Sequence, residues 1–402
     1  LERFGSRSEK YKKRKLVKQK KRRRIAVFII SLFALIGSSY VGIQSKNQKI
    51  SKEVKVNKHV LKQISSPVVK AVPTSVVEPV ITTITISAAG DFTLGTDETF
   101  GFDGSFVQTA KNNDFSYFTK GLNDIFINDD LTTVNLETTL TTAKEKREKK
   151  FRFKGDPSYV KILELAGVEA VNIANNHTFD YFEKGYKDTI AALERGNIGY
   201  FGNDHSYFTT VKDVKIGALG YEGWADNQNI RNRISQDIQL LREQGAQIVI
   251  VHFHWGNERQ YVPDQSQVSL GKFTIDSGAD LVLGHHPHVL QGIEEYKGKF
   301  IVYSLGNFMY GGHRNPKDKD TFVFQQTFYL ENGVLTDQLE ISVIPFSISS
   351  VAQRNDYQPT MLTGNEKKRV KEKIVSGSDR INGKENWLTY EKEQAENFVK
   401  NE

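Results

Sequence analysis

Short apolar runs recur through the middle of the chain, and several end in a histidine or a carboxylate. Ile84 and Ile86 alternate with threonines and lead into Ala88-Ala89-Gly90-Asp91. Leu131-Thr132-Thr133-Val134-Asn135-Leu136 closes on Glu137. Ala170-Val171-Asn172-Ile173-Ala174 leads into Asn175-Asn176-His177-Thr178-Phe179-Asp180, Gln247 to Val251 into His252-Phe253-His254, and Asp280-Leu281-Val282-Leu283-Gly284 into His285-His286-Pro287-His288. Each run predicts a buried strand. Helical patterns lie between them. Asp156-Pro157 opens one with a cap and an N1 proline, and Gly167 closes it. Others are predicted over about 183–195, 232–244 and 264–277. Beyond them, Phe300 to Ser304 reads as a strand. Segments 321–331 and 334–345 read as a hairpin turning at Asn332-Gly333. Strands alternating with helices predict an α/β fold, its sheet covered on both faces and extended by antiparallel strands. From about residue 351 the chain is charged and weakly periodic, which predicts a surface helix and a tail.

One apolar run is of a different kind. Residues 25–43 are uncharged and span roughly 28 Å as a helix at about 1.5 Å per residue, close to the roughly 30 Å of a bilayer core. Lys20-Lys21-Arg22-Arg23-Arg24 flanks this run and predicts an N-terminus inside and the remainder outside. The pattern predicts an uncleaved signal anchor, with a cleaved signal peptide as the rival. Residues 44–80, with Pro67, Pro73 and Pro79, read as a linker to a domain over 81–350.

Charge sharpens this division. The chain of 402 residues has a formal net charge of +7. Residues 1–24 carry thirteen Lys or Arg against two Glu, a net of +11, which leaves −4 for residues 25–402. The positive excess therefore sits in the N-terminal block and not over a folded face, which argues against nucleic-acid binding. The sequence has no cysteine, which excludes thiolate metal sites and a cysteine nucleophile.

Six of the nine histidines fall in the three strand-end clusters. In α/β layers, ligand groups collect just past the C-terminal ends of strands. Five predicted strands here deliver Asp91, Glu137, Asn176 with His177, His252 with His254, and His285 with His286 and His288. Buried structural histidines are the alternative for any single piece; five pieces in register point to a metal site. Mixed Asp, Glu, Asn and His donors suit Mn, Fe, Zn or Mg. Two such ions about 3.5–4 Å apart, bridged by a carboxylate, make a hydrolytic centre. The run Lys144 to Lys150 reads as a solvated loop, or as a basic lid over an anionic substrate. His59, His205 and His313 stand alone; His313, after Gly311-Gly312, is the one expected nearest the site.

The order of these motifs resembles the capsule-synthesis CapA family, which includes the PgsA-type subunit of bacterial poly-γ-glutamate synthesis. The matching pieces are Gly90-Asp91, Asn135-Leu136-Glu137, Ala174 to Asp180, His254 to Glu258, Gly278 to His288 and Tyr303 to Phe308, within about residues 84–346. The resemblance implies a layered α-β-β-α sandwich similar to calcineurin-like metallophosphoesterases, behind a transmembrane anchor. It implies that Asp91 binds one divalent ion, that Glu137 bridges two, and that Asn176, His254 and His286 bind the second while His288 returns to the first. It makes His177 an acid or leaving-group stabiliser and Asp180 its orienter. His252 and His285 could exchange roles with their neighbours. The family pattern also implies synthase subunits, an anionic polymer and the membrane as partners, and a single-pass protein with its main domain outside the cell. Its functions would be capsule or poly-γ-glutamate synthesis and export with a metal-dependent hydrolase-like site. The alternatives are a non-catalytic assembly or polymer-binding subunit and a general extracellular metallophosphoesterase. Two departures stand out: Asp91-Phe92-Thr93 lacks the His of an Asp-x-His motif, and Glu137 replaces a bridging Asp.

Overall fold

The computed structural model describes residues 78–382 and 386–392. The expected basic tail, the expected membrane segment and nearly all of the expected linker lie outside these residues. Among the described residues, no helix is long and apolar enough to cross a membrane.

Strand β1 (Ile81–Thr93) sets the architecture. Its first half pairs antiparallel with β14 (Asp320–Glu331), from Ile81 opposite Glu331 to Ala88 opposite Phe324. Further on, the same edge pairs parallel with β13 (Asn307–Tyr310), which sets Asp91 opposite Asn307. On its other edge β1 runs parallel to β2 (Leu131–Leu136). With β5 (Ala170–Asn172), β6 (Gly199–Phe201), β15 (Val334–Ser347) and β16 (Thr360–Met361), these make an eight-stranded sheet ordered β16-β15-β14-β1-β2-β5-β6, with β13 beside β1. The second sheet has β7 (Tyr207–Val211), β8 (Val214–Gly223), β9 (Ile248–Trp255), β10 (Leu281–His285), β11 (Ile293–Tyr296) and β12 (Lys299–Val302), in the order β11-β12-β10-β9-β8-β7. A separate short pair joins β3 (Thr139–Leu140) to β4 (Lys154–Gly155).

The two sheets pack face to face. Ile84, Ile86 and Ala88 of β1 share one buried cluster with Ile216 of β8, Ile248 and Ile250 of β9, and Leu281 and Leu283 of β10. The outer face of the first sheet, with Val134, Leu136 and Val171, is covered by α1 (Phe106–Asn112), α2 (Val160–Ala166) and α3 (Phe182–Arg195). The outer face of the second, with Val249, Val251 and Phe253, is covered by α4 (Gln228–Glu243) and α5 (Gln265–Asp276). The layers are therefore helix, sheet, sheet, helix, as expected.

Strand periodicity explains what points between the sheets. Side chains two apart share a face. On β9 the inward series is Ile248, Ile250, His252, His254; on β10 it is Leu281, Leu283, His285. On β2 the inward pair Thr133 and Asn135 alternates with the outward Val134 and Leu136. The inner face is thus apolar at the strands' N-terminal ends and turns polar at their C-terminal ends.

Most of the expected elements are present within a few residues. Asp156 caps a 3-10 turn at Pro157–Tyr159 that runs into α2, and Gly167 ends α2 at φ 82°. The helix expected at about 232 begins at Gln228, because the Asn227 side chain accepts from the Asn229 and Ile230 amides. The C-terminal reading needs correction. After residue 350 the chain does form a helix, α6 (Gly364–Asn382). However, Tyr357, Val370, Ile374 and Trp387 are all buried, the last three in the core between the sheets. The ordered domain therefore extends past 350, and the segment through Trp387 closes one side of its core rather than trailing as a tail.

Candidate metal centre

The polar end of the inter-sheet space gathers the residues singled out above. One donor atom each from Glu137, His254 and His286 lies within 4.8 Å of the others, and the same holds for Asp91, Glu137 and His288. The two groups share Glu137. His254 Nε2 lies 3.4 Å from Glu137 Oε1 and His288 Nε2 lies 3.8 Å from the same oxygen. His288 Nδ1 is 3.3 Å from Asp91 Oδ2. Asn176 Oδ1 is 2.9 Å from His254 Nε2, which sets it beside the first group. His177 stands at the edge, its Nε2 3.9 Å from Glu137 Oε1 and its Nδ1 2.6 Å from Asp180 Oδ2. Every expected site residue is thus in one place.

The backbone around the histidines is held in uncommon conformations. His286 and His288 have φ values of 96° and 56°. Arg259, on the loop after β9, has φ 62°, and its amide donates to Pro287 O at 2.8 Å. Such conformations are uncommon for residues other than glycine and persist only where the surroundings fix them. They also break the alternation of β10, so His286 and His288 both reach the centre although His285 precedes them on the strand face.

The pairs left open by the sequence are separated by geometry. His254 and His286 are in the donor groups. His252 and His285 lie behind: their rings stack with centroids 5.1 Å apart, and His252 Nδ1 is 2.9 Å from His285 Nε2. His252 Nε2 meets Thr133 Oγ1 at 2.9 Å, and His285 Nδ1 lies 3.3 Å from Asp91 Oδ1. A buried chain thus runs from Thr133 through both rings to Asp91.

Electrostatics follow from burial and crowding. Burial pushes the Asp91 carboxyl up, but hydrogen bonds with His285 and His288 outweigh it and hold the group well below the carboxylate range. Burial raises Glu137 well above that range, opposed by His288 and reinforced by Asp91. Burial disfavours the cation of His288, yet Glu137 and Asp91 raise it to about 10. Burial lowers His254 well below its ordinary value and brings His286 to about 3, with His288 adding to that shift. Burial lowers His177 as well, against the pull of Asp180.

These residues fit divalent cations. Glu137 is wholly buried, and neither of its carboxylate oxygens has a hydrogen-bond partner; the buried His286 Nδ1 has none either. An ionised carboxylate buried without a partner is strongly disfavoured, and a cation between such groups removes that cost. Carboxylate, imidazole and amide oxygens are donors for Mn, Fe, Zn or Mg.

Several contributing side chains were not singled out from the sequence. Asn135 donates to Asp91 Oδ1 at 2.8 Å, and Asn172 and Asn175 donate to Asn135 Oδ1 at 2.9 and 3.3 Å. The signal was available, since Asn135 precedes Glu137 by two residues and so shares its face. Lys149, from the expected solvated run, donates to Asp180 Oδ1 at 2.7 Å and Asn176 O at 2.8 Å. Phe153 donates its amide to Asp180 Oδ2 at 2.7 Å and stacks on His177 at 4.1 Å. Trp224, 45% exposed, sets its edge against His286 at 4.7 Å between ring centroids. His313 lines a cleft of about 430 Å³ that opens on His177 and His288. His205 is elsewhere, beside Tyr186 at 3.0 Å, and His59 lies outside the described residues.

Fold and site together define a layered α/β domain with two clusters of potential metal donors that share one buried glutamate. The chain belongs to the family described as bacterial capsule synthesis protein PGA_cap, whose model matches residues 85–311. It is 31% identical over 227 residues to the capsule biosynthesis protein CapA of Bacillus anthracis, covering 51% of this chain and 54% of that protein. It is 32% identical over 207 residues to the PGA biosynthesis protein CapA of Bacillus subtilis, covering 46% and 54%. The chain thus spans about half the length of these two relatives. A crystal structure titled as a novel phosphatase from Mycoplasma pneumoniae superposes with a TM-score of 0.41 at 15% identity, over 66% of this chain and 95% of that one. That likeness is too remote to bear on fold or function.

Proposed function

We propose that the chain is the extracytoplasmic, metal-binding component of a capsule or poly-γ-glutamate synthesis and export machine. Residues 25–43 would hold it in the cell membrane, with the basic block on the cytoplasmic side. The observation that carries this reading is the meeting, within a capsule-synthesis family domain, of two donor groups on the buried Glu137, whose carboxylate oxygens have no hydrogen-bond partner. Asp91, Glu137 and His288 would hold one divalent ion. Glu137, His254, His286 and the Asn176 amide oxygen would hold the second. The names of the two Bacillus relatives support the capsule role. Synthase subunits and the acidic polymer would be the partners.

Bound divalent ions act as Lewis acids on a phosphoryl or carbonyl oxygen. The chain's own residues supply the proton chemistry. The Asp180 carboxylate accepts from His177 Nδ1, which assigns the proton to that nitrogen and leaves Nε2 to take or give one on the side of Glu137. Lys149 and the Phe153 amide saturate Asp180, so its orientation and that of the His177 ring are fixed together.

One observation favours a second reading, a non-catalytic subunit that grips the polymer or assembles the synthase. Thr93 occupies the position of the missing His, and its buried hydroxyl has no hydrogen-bond partner, so the first group has one donor fewer. A general extracellular phosphoesterase is the remaining alternative. The test is turnover of an aryl phosphodiester, together with capsule formation in cells. Under the enzyme reading, His177→Ala abolishes turnover while the metal stays bound, and capsule is lost. Capsule that still forms with His177→Ala and His254→Ala, but not after deletion of the domain, sinks that reading in favour of the scaffold.

A further inference from the structure

His252 and His285 lie behind the donor groups, and the proposed chemistry uses neither. Both side chains are fully buried in the space between the sheets. They come from adjacent strands of the second sheet, β9 and β10. Their polar contacts outside the pair cross to the first sheet. His252 Nε2 meets Thr133 Oγ1 of β2 at 2.9 Å, and His285 Nδ1 lies 3.3 Å from Asp91 Oδ1 of β1. The Phe201 ring stands edge-on to His252 at 5.0 Å and, with the stacked His285, confines it.

The hydrogen atoms along this chain follow by elimination. A neutral imidazole carries one N–H and one acceptor nitrogen, and an ionised carboxylate only accepts. Facing Asp91, His285 therefore carries its proton on Nδ1, and its Nε2 accepts. His252 Nδ1 then donates to His285 Nε2 across 2.9 Å, and His252 Nε2 accepts from the Thr133 hydroxyl. The reverse tautomer of His285 would turn a lone pair toward Asp91. The donors thus run one way, from Thr133 to Asp91.

The two oxygens of Asp91 are divided accordingly. Oδ1 takes the Asn135 amide at 2.8 Å and faces His285, whereas Oδ2 faces His288 Nδ1 at 3.3 Å and the His286 amide at 3.4 Å. Partners of this kind orient a ligating carboxylate and tune what it binds.

We infer that Thr133, His252 and His285 are positioning residues, a one-way hydrogen-bond chain between the sheets that holds Asp91 Oδ1 and leaves Oδ2 for a divalent ion shared with Glu137 and His288. The inference rests on the metal-centre reading proposed above. Its effect is confined to the Asp91 group, since none of the three side chains hydrogen-bonds to Glu137, His254 or His286 among the described residues.

The test titrates manganese into the purified, metal-stripped full chain by calorimetry and follows the same samples by electron paramagnetic resonance. The wild type fills both groups and shows a coupled pair of ions. Thr133→Val, which swaps the hydroxyl for a methyl and touches no ligand, weakens one ion about tenfold or more and leaves the other within about twofold. At intermediate manganese its spectrum is that of an isolated ion. Thr133→Ser restores the pair, and His252→Phe, which keeps a ring, behaves like Thr133→Val. In a His288→Ala background, which already lacks the Asp91-side ion, Thr133→Val has no further effect. Nitrogen–proton spectra of the metal-free, histidine-labelled chain show Nδ1–H at both His252 and His285. Unchanged binding of both ions in Thr133→Val overturns the inference, as does equal weakening of both. A wild type that takes up no manganese yet shows both Nδ1–H tautomers keeps the clamp on Asp91 and removes the metal centre. Two bound ions with Nε2–H at His285 do the reverse.

Discussion

Glu137 and His288 both hold a proton more tightly than such groups usually do. His288 is raised to about 10 by Glu137 and Asp91 against the effect of burial, and burial raises Glu137 well above the carboxylate range. Before an ion binds, His288 is therefore protonated at neutral pH, and an imidazole must be neutral to serve as a ligand. The sign follows: metal uptake expels protons, so affinity rises with pH and levels off only as pH passes about 10. Calorimetry in two buffers of different ionisation enthalpy should show about one to two protons released near pH 7. No release would contradict the arrangement at His288. At this scale the sequence was informative about residue type and poor at choosing between neighbours. His252 and His254 share one face of β9, so alternation could not separate them. The positive φ values at His286 and His288 are set by tertiary contacts, and nothing in Gly-His-His-Pro-His announces them.

Elements were legible where the pattern was long. Continuous apolar runs marked β9 and β10, and Asn332-Gly333 marked the β14–β15 turn. The β7–β8 hairpin escaped because its two-residue turn is Lys212-Asp213, with φ of 48° and 65°. Such turns usually advertise themselves through Asn-Gly or Asp-Gly. Glycine mattered in another way at Gly284, one residue before His285 on β10. A Cβ there would run into the Tyr303 carbonyl and the Trp255 indole nitrogen, which itself donates to Tyr303 O at 2.9 Å. Gly284→Ala should therefore push β10 away from the chain after β12, at a cost of about 2 kcal/mol or more. Urea unfolding of the variant measures that cost, and reduced manganese affinity should accompany it. An unchanged midpoint would show that the strand yields freely.

For the whole molecule, composition misled in one respect. The stretch after 350 is rich in charge, yet its few apolar residues are spaced to bury. Val370 and Ile374 are one helical turn apart and face the core, and the Trp387 indole donates to Ser378 Oγ at 3.0 Å. Trp387→Ala removes a fully buried ring, and a loss of about 3–5 kcal/mol in global stability is expected, read from chemical denaturation. A loss below about 1 kcal/mol would return this segment to the status of a tail. The layered fold itself followed from alternating strands and helices.

The central claim is that two divalent ions meet on Glu137, and elemental analysis of purified variants tests it most directly. The wild type should hold about two equivalents of metal, His286→Ala and His288→Ala about one each, and Glu137→Ala close to none. A wild type that holds none, or single histidine variants that keep the full complement, would contradict it.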